Sequence, residues 1–250
     1  MSQNKATEIA VIGAGRFGSF WAQHISQHYP VYVYDRDQDR QAAVREFSHW
    51  TELPVCLQKS YIFLTIPIRQ ILPFIKENRV NFSPGSVLID CASIKEPVME
   101  WIESELPPDI FYVASHPLFG PDSARGGLKD HIITLIPGRV PYNRYAFLVE
   151  LLSQKLGLRI ENMSAAEHDR LMAYNLSLIH HLGRTFHGMN ISRIPLMMDS
   201  LGKLNSIARV VMNDSDELFY DFYRLNRFSQ EVENQFREQF NKIVDESALK

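Results

Sequence analysis

Three glycines, Gly13, Gly15 and Gly18, have the spacing Gly-x-Gly-x-x-Gly, and this motif constrains the fold more than any other feature. A short β-rich run, Glu8–Gly13, precedes the motif, and a helical periodicity, Phe17–His28, follows it. In such a strand–turn–helix context the glycines permit a tight turn, close approach of a pyrophosphate and close packing of the helix on the sheet. Amides at the start of the helix can then bind phosphate oxygens. The predicted cofactor contacts in the motif are Gly13, Gly15, Arg16, Phe17 and Gly18.

Strand and helix patterns alternate through the first part of the chain. The strand patterns are Glu8–Gly13, Val31–Tyr34, Tyr61–Ile66, Ser86–Cys91, Ile110–Ser115 and His131–Ile136. The helical patterns are Phe17–His28, Asp37–Phe47 and Pro97–Glu105, while Ser48–Ser60 leaves room for a short strand. Alternation at this spacing predicts an α/β fold with a doubly wound, mostly parallel sheet of the Rossmann type.

After about Asn162 the pattern becomes helical only. Ser164-Ala165-Ala166-Glu167 predicts a capping box that opens a helix running to about Gly188, and Pro195 fits the first turn of another helix. An apolar stripe recurs every fourth residue near the end of the chain: Phe228, Val232, Phe236, Phe240 and Val244. We expect a dinucleotide-binding domain over residues 1–162 and a helical substrate and dimerisation domain over 163–250. Because the helical part is small, its stripes are expected to pack on the first domain and on a second copy, as a homodimer through the C-terminal helices.

Composition excludes several classes of function. The 250 residues carry a formal net charge of −3, which predicts no nucleic-acid partner and no membrane surface. The two cysteines, Cys56 and Cys91, provide no disulfide framework and no metal-ligand spacing, so we expect buried thiols and no metal. The polar start, Met1–Thr7, lacks a secretory signal, so a cytoplasmic location is expected.

Polar residues at the ends of the predicted strands suggest further cofactor contacts. Asp35 ends the second strand, where a carboxylate can hydrogen-bond the adenosine ribose, so NAD is favoured over NADP. Arg36 could accept a 2′-phosphate or could be a solvated charge. Thr65 and Pro67 stand at the end of the third strand and either approach the dinucleotide or only end the strand.

The tract Ser115-His116-Pro117-Leu118-Phe119-Gly120-Pro121-Asp122 ends the fifth strand. Its histidine would lie at the mouth of the dinucleotide crevice, where neutral imidazole is suited to accept a proton from an alcohol. Ser93, after the fourth strand, could hydrogen-bond His116 or a substrate hydroxyl, or could cap the next helix. Lys95 could be a substrate cation or a surface charge.

Two residues of the helical part are further candidates. His180 shares a helical stripe with Met172, Leu176 and Gly183, which leaves a site residue and a core histidine both open. Arg209 stands in the apolar stretch Ile207–Val211, where an arginine would need an anion such as a substrate carboxylate or Asp122.

These tracts resemble the prephenate and arogenate dehydrogenase family of tyrosine biosynthesis over nearly the whole chain. The resemblance is strongest from Asp90 to Asp122, where His-Pro-Leu-Phe-Gly-Pro-Asp is similar to the family's His-Pro-Met-Phe-Gly-Pro, and from Ser164 to His180. The family's glycine-rich stretch before the arginine reads here as Asp199–Asn205. Too few residues precede the glycines for a fused chorismate mutase, so none is expected.

The resemblance implies a Rossmann domain followed by an all-helical dimerisation domain, and roles for particular residues. His116 would accept the proton of the substrate hydroxyl and Ser93 would orient it. His180 and Arg209 would hold the substrate, with the arginine on a carboxylate, and Asp122 would order either the subunit contact or the pyruvyl side chain. Ser115, next to His116, is a further predicted substrate contact. The expected activity is NAD-dependent oxidation and decarboxylation of prephenate to 4-hydroxyphenylpyruvate.

Other activities are left open by the residues themselves. Arogenate, or another cyclohexadienyl substrate, could replace prephenate. A dehydrogenase of 3-hydroxy acids would use a helix-borne lysine, for which Lys203 is the candidate. A non-catalytic dinucleotide-responsive regulator or scaffold is the alternative from another class, although it would not need Ser93 and His116.

Overall fold

The computed structural model describes residues 7–248, and within them the chain divides into two compact units between Ser164 and Ala165. All of the polar start Met1–Thr7 except Thr7, and the last two residues of the predicted helical domain (249–250), lie outside the described residues.

The first unit is built on one eight-stranded sheet with the order β3-β2-β1-β4-β5-β6-β7-β8. Its strands are β1 (Ile9–Ile12), β2 (Val31–Tyr34), β3 (His49–Trp50), β4 (Tyr61–Leu64), β5 (Val87–Asp90), β6 (Phe111–Pro117), β7 (Ile132–Pro137) and β8 (Arg159–Asn162). All neighbouring pairs are parallel except β6 and β7, which confirms the predicted mostly parallel sheet of the Rossmann type. β1, β4 and β5 are buried along their whole length, as expected for parallel strands covered on both faces.

Five α-helices accompany these strands: α1 (Arg16–Ser26), α2 (Leu53–Leu57), α3 (Ile68–Asn78), α4 (Glu96–Glu105) and α5 (Tyr142–Glu150). A π-helical segment, Leu151–Lys155, continues α5. One face of the sheet packs on α1 through Trp21, which contacts Phe63 of β4 with ring centroids 5.7 Å apart.

Some local predictions for this unit are wrong. The helix predicted over Asp37–Phe47 is a short 3₁₀ helix, Gln38–Ala43, whose residues are all exposed. Val44 and Phe47, which pack on the core, lie beyond its end, so the helix itself has no buried face that would stabilise a longer α-helix. Ser48–Ser60 contains the short strand β3 and also α2. The sequence does not predict helix α3, because Pro73 lies inside it and proline usually ends a helix. Ile68, Ile71 and Ile75 are nevertheless buried at helical spacing.

Every element described in the second unit is helical. The helices are α6 (Ala165–Met172), α7 (Ile179–Gly188), α8 (Asp199–Val211), α9 (Asp216–Leu225) and α10 (Ser229–Ala248). A π-helical segment, Ala173–Leu178, joins α6 and α7, and Ile191–Arg193 is a 3₁₀ turn. Pro195 was predicted to start a helix, which is wrong: it precedes α8 by four positions and lies in a bend.

The apolar stripe near the C-terminus is only partly buried. Phe228 and Val232 pack with Ala173 in a small core of the second unit. Farther along α10, Phe236 and Phe240 stack on each other at 6.0 Å and are exposed, as is Val244. Among the described residues, no helix is both long and apolar enough to cross a membrane.

The turn between β1 and α1 predicts a difference between two glycine substitutions. A Cβ on Gly18 would lie 1.8 Å from the carbonyl oxygen of Gly13, whereas a Cβ on Gly15 would have no neighbour within 4 Å among residues 7–248 apart from its own chain neighbours and helix. We expect Gly18→Ala to lower the free energy of unfolding by about 2 kcal/mol or more, because the helix must move away from the turn.

Urea unfolding followed by circular dichroism measures this difference, with Gly15→Ala as the matched control whose stability should stay close to that of the wild type. Equal stability of the two variants would contradict the close contact between α1 and the turn.

Candidate active site

The carboxyl ends of five strands bring most of the predicted site residues to one edge of the sheet. Gly13 follows β1, Asp35 follows β2, Thr65 follows β4, Ser93 lies after β5 and His116 is near the end of β6. Since β1 lies between β2 and β4, the chain reverses its direction of winding at β1, which is where such sheets form a ligand crevice. The fold therefore brings these residues to one edge of the sheet, as the sequence predicts.

The glycine turn is shaped by contacts that only glycine permits. Gly13 has φ +105°, and a Cβ there would meet the carbonyl oxygen of Thr65 at 2.7 Å. The Thr65 hydroxyl donates to the carbonyl oxygens of Gly13 (2.7 Å) and Ile12 (3.1 Å). Thr65 thus ties the end of β4 to the turn. At Gly15, at the N-terminus of α1, the space for a Cβ is empty.

Asp35 also contacts the turn. Its carboxylate accepts the amide of Ala14 at 2.6 Å and the amide of Asp37 at 2.9 Å. The side chain is half-buried, and Arg36 beside it is exposed. Pro67 caps the N-terminus of α3 in an extended conformation and is exposed.

A salt bridge joins the glycine motif to the histidine tract. The guanidinium of Arg16 lies 2.7 Å from a carboxylate oxygen of Asp122, whose other oxygen accepts from Arg125 at 3.1 Å. Phe119 of the tract packs on α1, with its ring centroid 6.2 Å from Trp21 and 6.5 Å from Phe20. Two motifs about a hundred residues apart in sequence are therefore in direct contact.

His116 is buried, with 7% of its surface exposed. Its register partner across β7 is Thr134, whose hydroxyl lies 3.4 Å from the His116 carbonyl oxygen. Along β6 its side chain is on the same face of the sheet as Tyr112, two pleats away. Ser93 is half-buried in the loop between β5 and α4.

Two polar residues in this region have structural partners that the sequence did not indicate. Ser115, predicted as a substrate contact, is fully buried, and its hydroxyl donates to the backbone carbonyl of Asp90 at 2.6 Å. Lys95 was predicted to be either a substrate cation or a surface charge, and both predictions are wrong. Its side chain is completely buried against Asp90, so it neither faces solvent nor is accessible to a substrate. No feature of spacing or composition distinguishes Lys95 from an ordinary surface lysine.

The two remaining candidates belong to the second unit. His180 is buried in α7, and its Nε2 lies 3.3 Å from a carboxylate oxygen of Asp214. Its Nδ1 is buried without a hydrogen-bond partner among residues 7–248. Arg209 is exposed on α8, with its guanidinium 3.4 Å from the hydroxyl of Ser206, and its binding of a substrate carboxylate stays a prediction.

The cysteines are free. Cys56 is buried, and desolvation raises the pKa of its thiol to about 12, so it is an inert core residue. In the described part of the chain, no three His, Cys, Asp or Glu side chains cluster in a way that could hold a metal ion.

Sequence comparison identifies the family. The profile described as "Prephenate dehydrogenase, nucleotide-binding domain" matches residues 22–157, which is more than half of the chain. The chain belongs to the prephenate dehydrogenase family. The resemblance drawn from the histidine tract is thereby confirmed, although the match begins after the glycine motif.

Individual relatives agree with this family. The cyclohexadienyl dehydrogenase of Zymomonas mobilis is 27% identical over 226 residues, covering 82% of this chain and 76% of the relative. Arogenate dehydrogenase 1 of Arabidopsis thaliana is 24% identical over 251 residues, covering 94% of this chain but only 38% of the plant protein. The chain thus spans well under half the length of that relative.

The fold agrees with a solved structure of the same family. A crystal structure of prephenate dehydrogenase from Aquifex aeolicus, in complex with hydroxyphenyl propionate and NAD⁺, superposes with a TM-score of 0.77. The two chains share 16% identity, with 99% of this chain and 94% of the other covered. At this identity the similarity concerns the fold.

Proposed function

We propose that this protein is an NAD-dependent prephenate dehydrogenase that oxidises and decarboxylates prephenate to 4-hydroxyphenylpyruvate. The observation that carries the proposal is the contact between the glycine turn and the His116 tract through Arg16 and Asp122. It places a dinucleotide motif and a strand-end histidine at one edge of one sheet. Membership in the prephenate dehydrogenase family supports the same chemistry.

The residues of the glycine turn fit a dinucleotide. Open space at Gly15 leaves room for a pyrophosphate, and the first amides of α1 can donate to its oxygens. Asp35 lies at the end of β2, on the side of the turn opposite to His116, where its carboxylate favours a free ribose over a 2′-phosphate. NAD, when bound, supplies the hydride acceptor of the reaction.

His116 acts as the base in this proposal. Neighbouring strands are about 4.8 Å apart, so β6 lies three strand spacings, or about 14 Å, from the glycine turn along the edge. The nicotinamide half of a dinucleotide whose pyrophosphate rests on the turn would span part of this distance and leave the rest for the substrate beside His116. The imidazole of His116 takes the hydroxyl proton, and Ser93, on the neighbouring loop, orients the ring or the hydroxyl.

The atoms and charges balance in this scheme. The C–H bond of the hydroxyl-bearing carbon breaks and its electron pair leaves as hydride, while the hydroxyl proton goes to His116. The bond to the ring carboxylate then breaks, carbon dioxide departs and its electron pair makes the ring aromatic. The phenolate oxygen recovers the proton from His116, so histidine is regenerated in each turnover.

Two further residues, Arg209 and His180, are proposed substrate contacts. The exposed guanidinium of Arg209 can bind a carboxylate, and the buried Nδ1 of His180, which has no hydrogen-bond partner among residues 7–248, is a further candidate contact. The choice of prephenate over arogenate depends on whether the side chain carries a keto or an amino group. An absorbance assay for NADH or NADPH formation, with prephenate or arogenate and with NAD or NADP, tests the proposed function. No turnover in any of these combinations would refute it.

The role of His116 predicts a defect in turnover without a defect in cofactor binding. We expect His116→Asn to lower kcat by roughly a hundredfold to ten-thousandfold, because a positioned base is lost. Steady-state NADH formation measures kcat, and NAD titration by fluorescence quenching measures affinity. His24→Asn, on α1 away from the strand ends, is the control, and near-normal turnover by His116→Asn would remove this histidine from its role.

The role of Arg209 predicts a defect in substrate binding. We expect Arg209→Gln to raise KM for prephenate roughly tenfold to a hundredfold with a smaller change in kcat, because a charge-assisted hydrogen bond to a carboxylate is lost. Lys203→Gln on the same helix, an exposed cation 2.9 Å from Asp199, is the matched control. If KM is unchanged in Arg209→Gln, this arginine does not contact a substrate carboxylate.

We also propose that the protein is a homodimer through α10. The exposed, stacked Phe236 and Phe240, with Val244, form an apolar strip that a second copy can cover. We expect Phe240→Glu to shift the sedimentation coefficient from that of a dimer toward that of a monomer. Lys242→Glu, in the same turn of the helix but outside the strip, should sediment as the wild type does, and a monomeric wild type would contradict the proposal.

A further inference from the structure

Lys95 and Asp90 form an ion pair whose side chains are both 0% exposed. Asp90 is the last residue of β5 and Lys95 directly precedes α4. A buried ion pair is costly to desolvate, and apolar residues of similar size often give equal or better stability. The pair therefore calls for an explanation beyond stability of the fold.

The contacts of the pair converge on the backbone beside two proposed active-site residues. The ammonium of Lys95 donates to Asp90 and, at 2.6 Å, to the backbone carbonyl of Ser115, which directly precedes His116. The carboxylate of Asp90 accepts the amide of Ala92 at 2.9 Å, directly before Ser93. One ammonium and one carboxylate thus join the end of β6 to the loop after β5.

The other carboxylate oxygen of Asp90 is held by a residue of the sheet. It accepts the hydroxyl of Tyr112 at 2.6 Å, and Tyr112 lies on β6 on the same face as His116. Burial, reinforced by the charge of Asp90, raises the pKa of the Tyr112 hydroxyl well above its usual range, so it remains a donor. The Asp90 carboxylate is consequently fixed at both oxygens and gives Lys95 a rigid anchor.

We propose that Lys95 is a positioning residue for the reaction, anchored by Asp90. It sets the separation of His116 and Ser93 by holding the Ser115 carbonyl and the Ala92 amide through one charge pair. Lys95 itself touches no substrate, because its side chain has no exposed surface. This proposal rests on the proposed function, because the separation of His116 and Ser93 matters only for that reaction. The surroundings of His116 can nevertheless be measured without turnover.

The test separates positioning from folding with single and double variants. Lys95→Met leaves Asp90 buried and uncompensated, so it should lower both stability and kcat. Adding Asp90→Asn removes the stranded charge, so the double variant should regain most of the thermal stability. Its kcat should remain roughly a hundredfold below the wild type, with NAD affinity nearly unchanged, because the Ser115 carbonyl is no longer held.

A second ion pair offers a matched control. Lys59 lies 3.0 Å from Glu8 and is mostly buried, but it precedes β4 at the opposite edge of the sheet. The double variant Lys59→Met with Glu8→Gln removes this less buried pair and should leave kcat close to that of the wild type, because neither residue contacts the backbone beside His116 or Ser93. Recovery of kcat together with stability in the Lys95 and Asp90 double variant would overturn the proposal. Failure of that variant to fold would also overturn it, by showing that the pair serves the fold.

A histidine NMR titration gives a readout that does not depend on the substrate. With ¹³C-labelled histidine, and the His116 signal assigned from His116→Asn, the Lys95 and Asp90 double variant should shift the His116 resonance and its titration midpoint. The signals of His24 and His28 should stay in place. If the wild type turns over no substrate, the proposed function fails while this spectrum still decides the role of Lys95. An unmoved His116 signal would contradict that role.

Discussion

The close approach of α1 to the ends of β1 and β4 is the constraint on which the candidate site depends. It exists because Gly13 and Gly18 present backbone where any side chain would collide with the carbonyl oxygen of Thr65 or of Gly13 itself. The Thr65 hydroxyl and the Asp35 carboxylate then fasten the turn from the two neighbouring strands. A free space is left at Gly15, so the same contacts that pack the helix also create a place for a phosphate group.

The remainder of the site is aligned with this turn by two different kinds of contact. Apolar packing of Phe119 on Trp21 carries the tract after β6 onto α1, and the Arg16–Asp122 salt bridge joins the tract to the turn. The salt bridge is half-exposed and contributes little to stability, so its importance here is geometric. The buried pair of Lys95 and Asp90 works on the inner side of the same tract, through backbone contacts on either side of the proposed reacting groups.

Much of this arrangement could be predicted because buried parallel strands have short, continuous apolar sequences. Once β1, β2, β4, β5 and β6 are recognised, the residues that follow them must meet at one edge. The predictions that failed were those that depend on which residues are buried in the folded chain. Lys95 resembles a surface charge in sequence, but the fold encloses it. Residues Gln38–Ala43 are all exposed and give no buried face that would stabilise an α-helix. β8 has a polar sequence because it is an edge strand. In the second unit, the π-helical turn at Ala173–Leu178 changes the periodicity on which the stripe of His180 was drawn.

We propose that one edge of the sheet brings a dinucleotide and the proton-accepting His116 together for a single hydride transfer. The most direct measurement uses prephenate carrying deuterium at the hydroxyl-bearing ring carbon, with NAD, and follows the isotope by mass spectrometry. The account predicts one deuterium in the reduced cofactor for each carbon dioxide released, and a slower reaction than with unlabelled prephenate. Carbon dioxide release without deuterium in the cofactor, or no reduced cofactor at all, would contradict it.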